Sequence, residues 1–144
     1  MIELVNAMNC LHAVSACGLF GLIWTIQLVH YPLFARIEPS QWHQAHQEHT
    51  RGITKIVFPL MVSELVFAAA LVFLSPSPLS ISLLACAGGN WILTAIFFIP
   101  LHHKLSARFN LATIHYLVRL NWLRTALWSL AFGLTLNNLL TLTR

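Results

Sequence analysis

Four long apolar stretches constrain this chain more than any other feature of its sequence. They cover residues 10–29, 56–74, 79–100 and 125–143, and each approaches the ~20 apolar residues that a helix needs to cross a bilayer. Of the 144 residues, 58% are hydrophobic and only 8% are charged, whereas a soluble domain carries about 25% charged residues. The pattern excludes a water-soluble globular protein and predicts one integral membrane domain over residues 1–144.

The four stretches are predicted to be helices. Backbone groups inside a bilayer must hydrogen-bond within the protein, so only helices and closed barrels cross it, and the stretches lack the period-two alternation of barrel strands. The segment Ser75-Pro76-Ser77-Pro78 is typical of a tight turn between the second and third stretches. Small residues at 85–89 allow close contact between helices. We therefore expect an all-α, antiparallel four-helix bundle.

The positions of the basic residues predict the orientation of this bundle. They lie mainly in the connection 36–55 (Arg36, Arg51, Lys55) and after the third stretch (Lys104, Arg108). By the positive-inside rule, both long connections are cytoplasmic and both termini lie outside. The net charge of +4 does not predict nucleic-acid binding, because the basic side chains occur singly at the ends of apolar runs instead of on one face.

Seven of the eight histidines gather at the predicted cytoplasmic face: His30, His43, His46, His49, His102, His103 and His115. His43, His46 and His49 recur every three residues, so on a helix each is a neighbour of the next. Imidazole is a ligand of zinc, copper, iron and nickel. We interpret the group as a transition-metal site, with iron or copper favoured over zinc. A haem with one or two axial histidines and a solvated, amphipathic linker are the alternatives.

Glu64 is the one acidic residue inside an apolar stretch. A helical rise of 1.5 Å per residue places it about 12 Å from the start of the second stretch. Intramembrane carboxylates usually face a cavity or a partner charge. Glu64 is therefore a candidate metal ligand or catalytic base, and an ion pair with Arg119 or Arg124 is the structural alternative.

Other polar residues near the same face are candidates for contact with a substrate. Arg119 and Arg124 are positively charged, so either could orient an anionic or oxygen-bearing group as part of the catalytic site. Gln27, Asn90 and Asn121 lie in or beside apolar stretches, and we expect them to line a substrate pocket.

Two motifs in the second half of the chain resemble a known family. They are Pro100-Leu101-His102-His103-Lys104-Leu105 and Asn121-Trp122-Leu123-Arg124-Thr125. Over residues 95–130 the chain resembles the small four-span membrane proteins of the anthrone-oxygenase-like family. The resemblance implies oxygenation of an apolar aromatic or lipid-like molecule, with Asn121 and Arg124 at pocket or structural positions. The histidine-rich segment 42–49 is not part of the family pattern.

These features predict a membrane-embedded, metal-dependent oxidoreductase or oxygenase that acts on an apolar, lipid-soluble small molecule. Its partners are the lipid bilayer and that substrate. Two other classes of protein fit the same residues. One is a metal-ion or proton carrier in which Glu64 and the histidines pass the ion along the protein. The other is an accessory, haem-binding subunit of a larger membrane complex, and a homo-oligomer is also left open.

Overall fold

The computed structural model describes residues 1–142, and every regular element in that range is a helix. Four long helices follow one another along the chain: α1 (Ile2–Phe34), α2 (Trp42–Leu74), α3 (Pro78–Ala107) and α4 (Leu111–Leu142). The all-α prediction is confirmed for this range. The predicted end of the fourth apolar stretch, Thr143, lies outside the described residues.

The helices are longer than the apolar stretches, and short connections separate them. α2 begins at Trp42, so the histidine-rich segment forms its first turns and only residues 35–41 connect it to α1. A capping box starts α3: the Ser77 hydroxyl accepts from the Ser80 amide at 3.1 Å, and the Ser80 hydroxyl accepts from the Ser77 amide at 2.9 Å. Asn110 caps the start of α4 by accepting from the Thr113 amide at 2.8 Å.

Two helices contain a single π-helical turn. The turn Ile26–His30 lies in α1 and the turn Thr94–Phe98 lies in α3. Pro32 and Pro100 each follow such a turn by two residues. Proline cannot donate a backbone hydrogen bond and its ring crowds the preceding turn, and a wider π turn is one way in which a helix accommodates this.

Each helix packs against two neighbours: α1 and α3 both contact α2 and α4. α3 and α4 approach closely at Gly89, where a Cβ atom would lie 3.2 Å from the Leu127 side chain. This close approach agrees with the small residues expected at a helix contact. At the histidine end, the core is built around Phe34, Trp42 and Leu105.

Among the described residues, three helices, α1, α2 and α3, are long and apolar enough to cross a membrane. Large apolar side chains also cover the outside of the helices; Val14, Phe58, Phe73 and Ile92 are each more than half exposed. An apolar outer surface of this kind is consistent with a membrane protein.

Candidate functional site

Four histidines from three helices meet at one end of the bundle. We call His30, His46, His49 and His102 the histidine cluster. The Nε2 atom of His30 lies 2.6 Å from Nδ1 of His49, and Nε2 of His46 lies 3.1 Å from Nδ1 of His102. The rings of His49 and His102 are stacked at 5.8 Å and connect the two pairs. In each hydrogen-bonded pair one nitrogen must accept, so at least one of the two rings is neutral.

A series of hydrogen bonds runs through this cluster. The Tyr31 hydroxyl lies 3.2 Å from Nε2 of His102, and the Arg124 guanidinium is its electrostatic neighbour. At the other end, Nδ1 of His46 lies 3.3 Å from the Ser106 hydroxyl, which donates to the His102 carbonyl at 2.9 Å. We call the series Tyr31, His102, His46 and Ser106 the relay, and Arg124 lies beside its buried end.

The hydrogen bonds of the relay can all be donated in the same direction, from Tyr31 toward Ser106. The neighbouring guanidinium of Arg124 can only donate and offers no acceptor, so the Tyr31 hydroxyl donates to Nε2 of His102. The Nδ1–H of His102 then donates to His46, and the Nδ1–H of His46 donates to the Ser106 oxygen. Tyr31 and Arg124 are only 3% and 5% exposed, whereas Ser106 is exposed. The relay therefore leads from the interior of the bundle to its surface.

A cavity of about 440 Å³ lies between α2 and α3 next to the relay. Its wall is mostly apolar, and Tyr31, His102 and Arg124 contribute polar groups to it. Phe58 and Ile99 also line it and are at least half exposed on the outside of the helices, so the cavity opens toward that surface. Its volume falls in the range of small-molecule sites, about 300–1,000 Å³.

Arg124 is buried without an ion-pair partner among residues 1–142. Its guanidinium lies 4.5 Å from the centre of the Phe98 ring and 4.7 Å from that of Trp128, which are cation–π distances. The Glu64 carboxylate instead accepts a hydrogen bond from the Trp128 indole at 2.9 Å. Trp128 thus contacts both groups, and the ion pair considered for Glu64 with Arg124 or Arg119 is not formed.

Two of the predicted pocket residues pair with each other instead of lining the cavity. The Gln27 side-chain oxygen accepts from the Asn121 amide at 2.8 Å, and its NH₂ group donates to the Val118 carbonyl at 3.2 Å. Both side chains are buried and join α1 to α4. Asn90 is fully buried in α3, and neither atom of its amide group has a partner among the described residues.

The remaining predicted site residues lie on the outside. They are His43, His103, His115 and Arg119, all of them exposed. His43 lies at the start of α2, with its Nδ1 3.3 Å from the Ser106 carbonyl. His103 lines the cavity beside His102. The structure thus brings together four of the seven predicted histidines.

The histidine cluster is not preassembled as a metal site. Within residues 1–142, no group of three or more His, Cys, Asp or Glu side chains is arranged to hold a metal ion. The facing ring nitrogens hydrogen-bond one another instead. The iron or copper ion and the haem expected from the sequence stay predictions.

Three contributing residues were missed by sequence reasoning. Tyr31 and Ser106 complete the relay, and Trp128 binds Glu64. Ser106 follows His102 by four residues, the spacing of neighbours on one helix face, so this signal was present in the sequence. Tyr31 carried no comparable signal, because its contact with His102 depends on how α1 and α3 are placed by their packing against α2 and α4.

Comparisons with known proteins identify no relative: no protein-family model matches the chain, and no curated protein or solved structure is significantly similar to it. The resemblance of residues 95–130 to the anthrone-oxygenase-like family therefore stays a prediction from two short motifs.

Proposed function

We propose that this chain is an integral membrane protein that binds a lipid-soluble molecule in the α2–α3 cavity and exchanges protons with it through the relay. The observation that carries the proposal is the hydrogen-bond series from Tyr31 to Ser106. It runs along the cavity wall from the buried Tyr31 to Ser106, which lines the cavity and is exposed at the surface, and a reaction that releases or takes up protons requires such a path.

The proposal includes an orientation in the membrane. The four helices would cross the bilayer in alternating directions, with both termini outside and the histidine cluster at the cytoplasmic face. An apolar molecule would then enter from the lipid through the opening beside Phe58 and Ile99. Ser106 would exchange its proton with water at the headgroup level.

An oxidoreductase is the class of enzyme that this arrangement suits best. When a hydroxyl on an apolar molecule is oxidised to a carbonyl, protons leave together with two electrons. His102 and Tyr31 would hold and transfer a proton of the bound molecule. The electrons would pass to a redox metal ion or to a partner subunit of the membrane.

Metal-dependent oxygenation is the second candidate function, and the convergence of four imidazoles supports it. Metal binding would replace the hydrogen bonds between the rings by bonds to one ion. Metal analysis and an absorption spectrum of the purified protein test this. One equivalent of iron or copper that is lost in His46→Ala but kept in His43→Ala would support the proposal. A metal-free, colourless wild-type protein would overturn it.

Cavity occupancy tests the main proposal directly. Thr94 lines the cavity and its neighbour Ala95 is exposed outside it, so Thr94→Phe fills the cavity and Ala95→Phe adds a phenyl ring on the outer surface. Molecules extracted from each purified protein are compared by mass spectrometry. We expect a lipid-soluble molecule to be retained by wild type and Ala95→Phe and depleted in Thr94→Phe. Equal extracts from all three proteins would reject the cavity as the binding site.

Proton exchange is tested with the molecule so recovered. Tyr31→Phe removes the hydroxyl that donates to His102, and Tyr116→Phe is the matched control because Tyr116 is half exposed. Proton release is followed with a pH indicator after rapid mixing. We expect Tyr31→Phe to slow it about 100-fold, as removal of a general acid–base group does. Release at the wild-type rate would show that the relay is not used.

A further inference from the structure

Arg124 is a buried positive charge for which the described protein supplies no negative partner. Its guanidinium lies over the Phe98 and Trp128 rings, and the Tyr31 hydroxyl is its electrostatic neighbour. The Nε–H of its guanidinium is buried and has no hydrogen-bond acceptor among residues 1–142. Burial of a charge is costly unless the charge is paired and hydrogen-bonded, and arginine side chains in membranes usually face a partner or a cavity.

The position of Arg124 identifies where a partner would come from. The residue lines the α2–α3 cavity, together with Tyr31 and His102. The guanidinium carbon lies over the Phe98 and Trp128 rings, and the unpaired Nε–H is available to an acceptor that enters the cavity. The rest of the wall is mostly apolar and includes Ile53, Val57 and Met61 on α2, with hydroxyl groups from Thr50 and Thr54.

We propose that the molecule bound in this cavity is an amphiphilic organic acid whose carboxylate pairs with Arg124 and whose apolar body lies along α2. A carboxylate matches the guanidinium edge in shape and neutralises its single charge. A long apolar body suits the mostly apolar wall and the opening at Phe58. This inference rests on the proposed function, because it names the class of molecule that the cavity takes.

Fluorescence quenching of the purified wild-type protein in detergent tests whether the cavity prefers a ligand with a carboxylate head group. Trp91 lines the cavity, so an ω-brominated chain bound there quenches its emission. The two ligands to compare are ω-bromododecanoate and ω-bromododecanol, which differ in the charge of the head group. We expect the carboxylate to reach half-maximal quenching at a concentration about tenfold lower than the alcohol, as pairing with a buried charge requires. Equal concentrations for the two ligands would overturn the inference.

Two variants assign that preference to Arg124. In Arg124→Gln the preference for the carboxylate should disappear, while Arg119→Gln, at an exposed arginine of the same helix, should keep it. A preference that persists in Arg124→Gln would also overturn the inference. If Arg124→Gln does not fold, Arg124→Lys retains the charge and removes the planar fork. We then expect a reduced preference in Arg124→Lys, and an unchanged one would reject the guanidinium as the partner.

Thr94→Phe separates this inference from the proposed function. If both ligands quench wild type equally and Thr94→Phe abolishes quenching by both, the cavity binds apolar molecules without regard to charge and only the organic-acid inference fails. If Thr94→Phe leaves quenching by both ligands unchanged, the cavity is not the binding site and the proposed function fails with it.

Discussion

The Nε2 atom of His46 lies 3.1 Å from the Nδ1 atom of His102, and this contact joins the first turns of α2 to the last turns of α3. The two residues are 56 positions apart in the chain. Both rings use their second nitrogen as well, His46 toward Ser106 and His102 toward Tyr31. Because every nitrogen of the pair is engaged, a change at one ring alters the hydrogen bonds of the other.

Removal of the His46 ring should therefore destabilise the fold. In His46→Ala the partly buried His102 loses its acceptor, which we expect to lower the free energy of unfolding by about 1–3 kcal/mol. His43→Ala is the matched control: His43 is exposed one turn earlier, and such surface changes cost within about 0.5 kcal/mol. Thermal unfolding in detergent, followed by circular dichroism, measures both. Equal losses in the two variants would contradict the buried contact.

The hydrogen bonds of Gln27 should stabilise the packing of α1 against α4. Gln27→Leu leaves the Asn121 amide and the Val118 carbonyl without their partner, and we expect a loss of about 2 kcal/mol. Adding Asn121→Leu should recover part of it, because two apolar side chains leave fewer unpaired groups. Additive losses in a double-mutant cycle would argue against a direct bond.

The Trp128 indole should stabilise the fold through its N–H as well as through its ring. Trp128→Phe retains an aromatic face beside Arg124 but removes the donor to Glu64, so we expect a loss of about 1–3 kcal/mol from the unpaired carboxylate. Glu64→Gln should be milder, because an amide oxygen still accepts from the indole. Trp122→Phe, at a half-exposed tryptophan, is the control. If Glu64→Gln unfolds the protein more readily than Trp128→Phe, the carboxylate has a role that this hydrogen bond does not explain.

Ser106→Ala should affect both stability and proton transfer. Ser106 accepts from the buried His46, and its loss leaves that Nδ1–H without an acceptor, so we expect the free energy of unfolding to fall by about 1–3 kcal/mol. It is also the last member of the relay, and we expect proton release from the bound molecule to slow at least about tenfold. Ser82→Ala, at an exposed serine distant from the relay in α3, controls for the loss of a hydroxyl. Unchanged release in Ser106→Ala would mean that the proton leaves by another route.

Periodicity and composition were sufficient to predict where the helices and the serine–proline turn lie. Apolar runs of membrane length predicted the helices, and the serine–proline segment predicted the turn that Ser77 caps. Helix lengths were less predictable. α2 begins at Trp42 well before its apolar run, because the polar residues 42–55 are compatible with a helix and Trp42 is anchored by its hydrogen bond to the Leu105 carbonyl at 2.6 Å.

The candidate site, like the fold, was predictable from the sequence only in part. Clustering of histidines along the chain indicated which end of the bundle carries it, and His30, His46, His49 and His102 do meet there. Spacing alone could not distinguish His46 from His43 and His103, which are exposed. That difference depends on the rotation of each helix about its axis, which is set by packing against neighbours.

The amino-acid sequence by itself determined that this chain is helical, apolar on its outer surface and rich in imidazole at one end, because these properties depend on residue type and local periodicity. Only the tertiary structure decided that Tyr31 contacts His102, that Glu64 binds Trp128 instead of an arginine, and that a cavity lies between α2 and α3. Such contacts join residues far apart in the chain, and their distances follow from helix rotation and close packing.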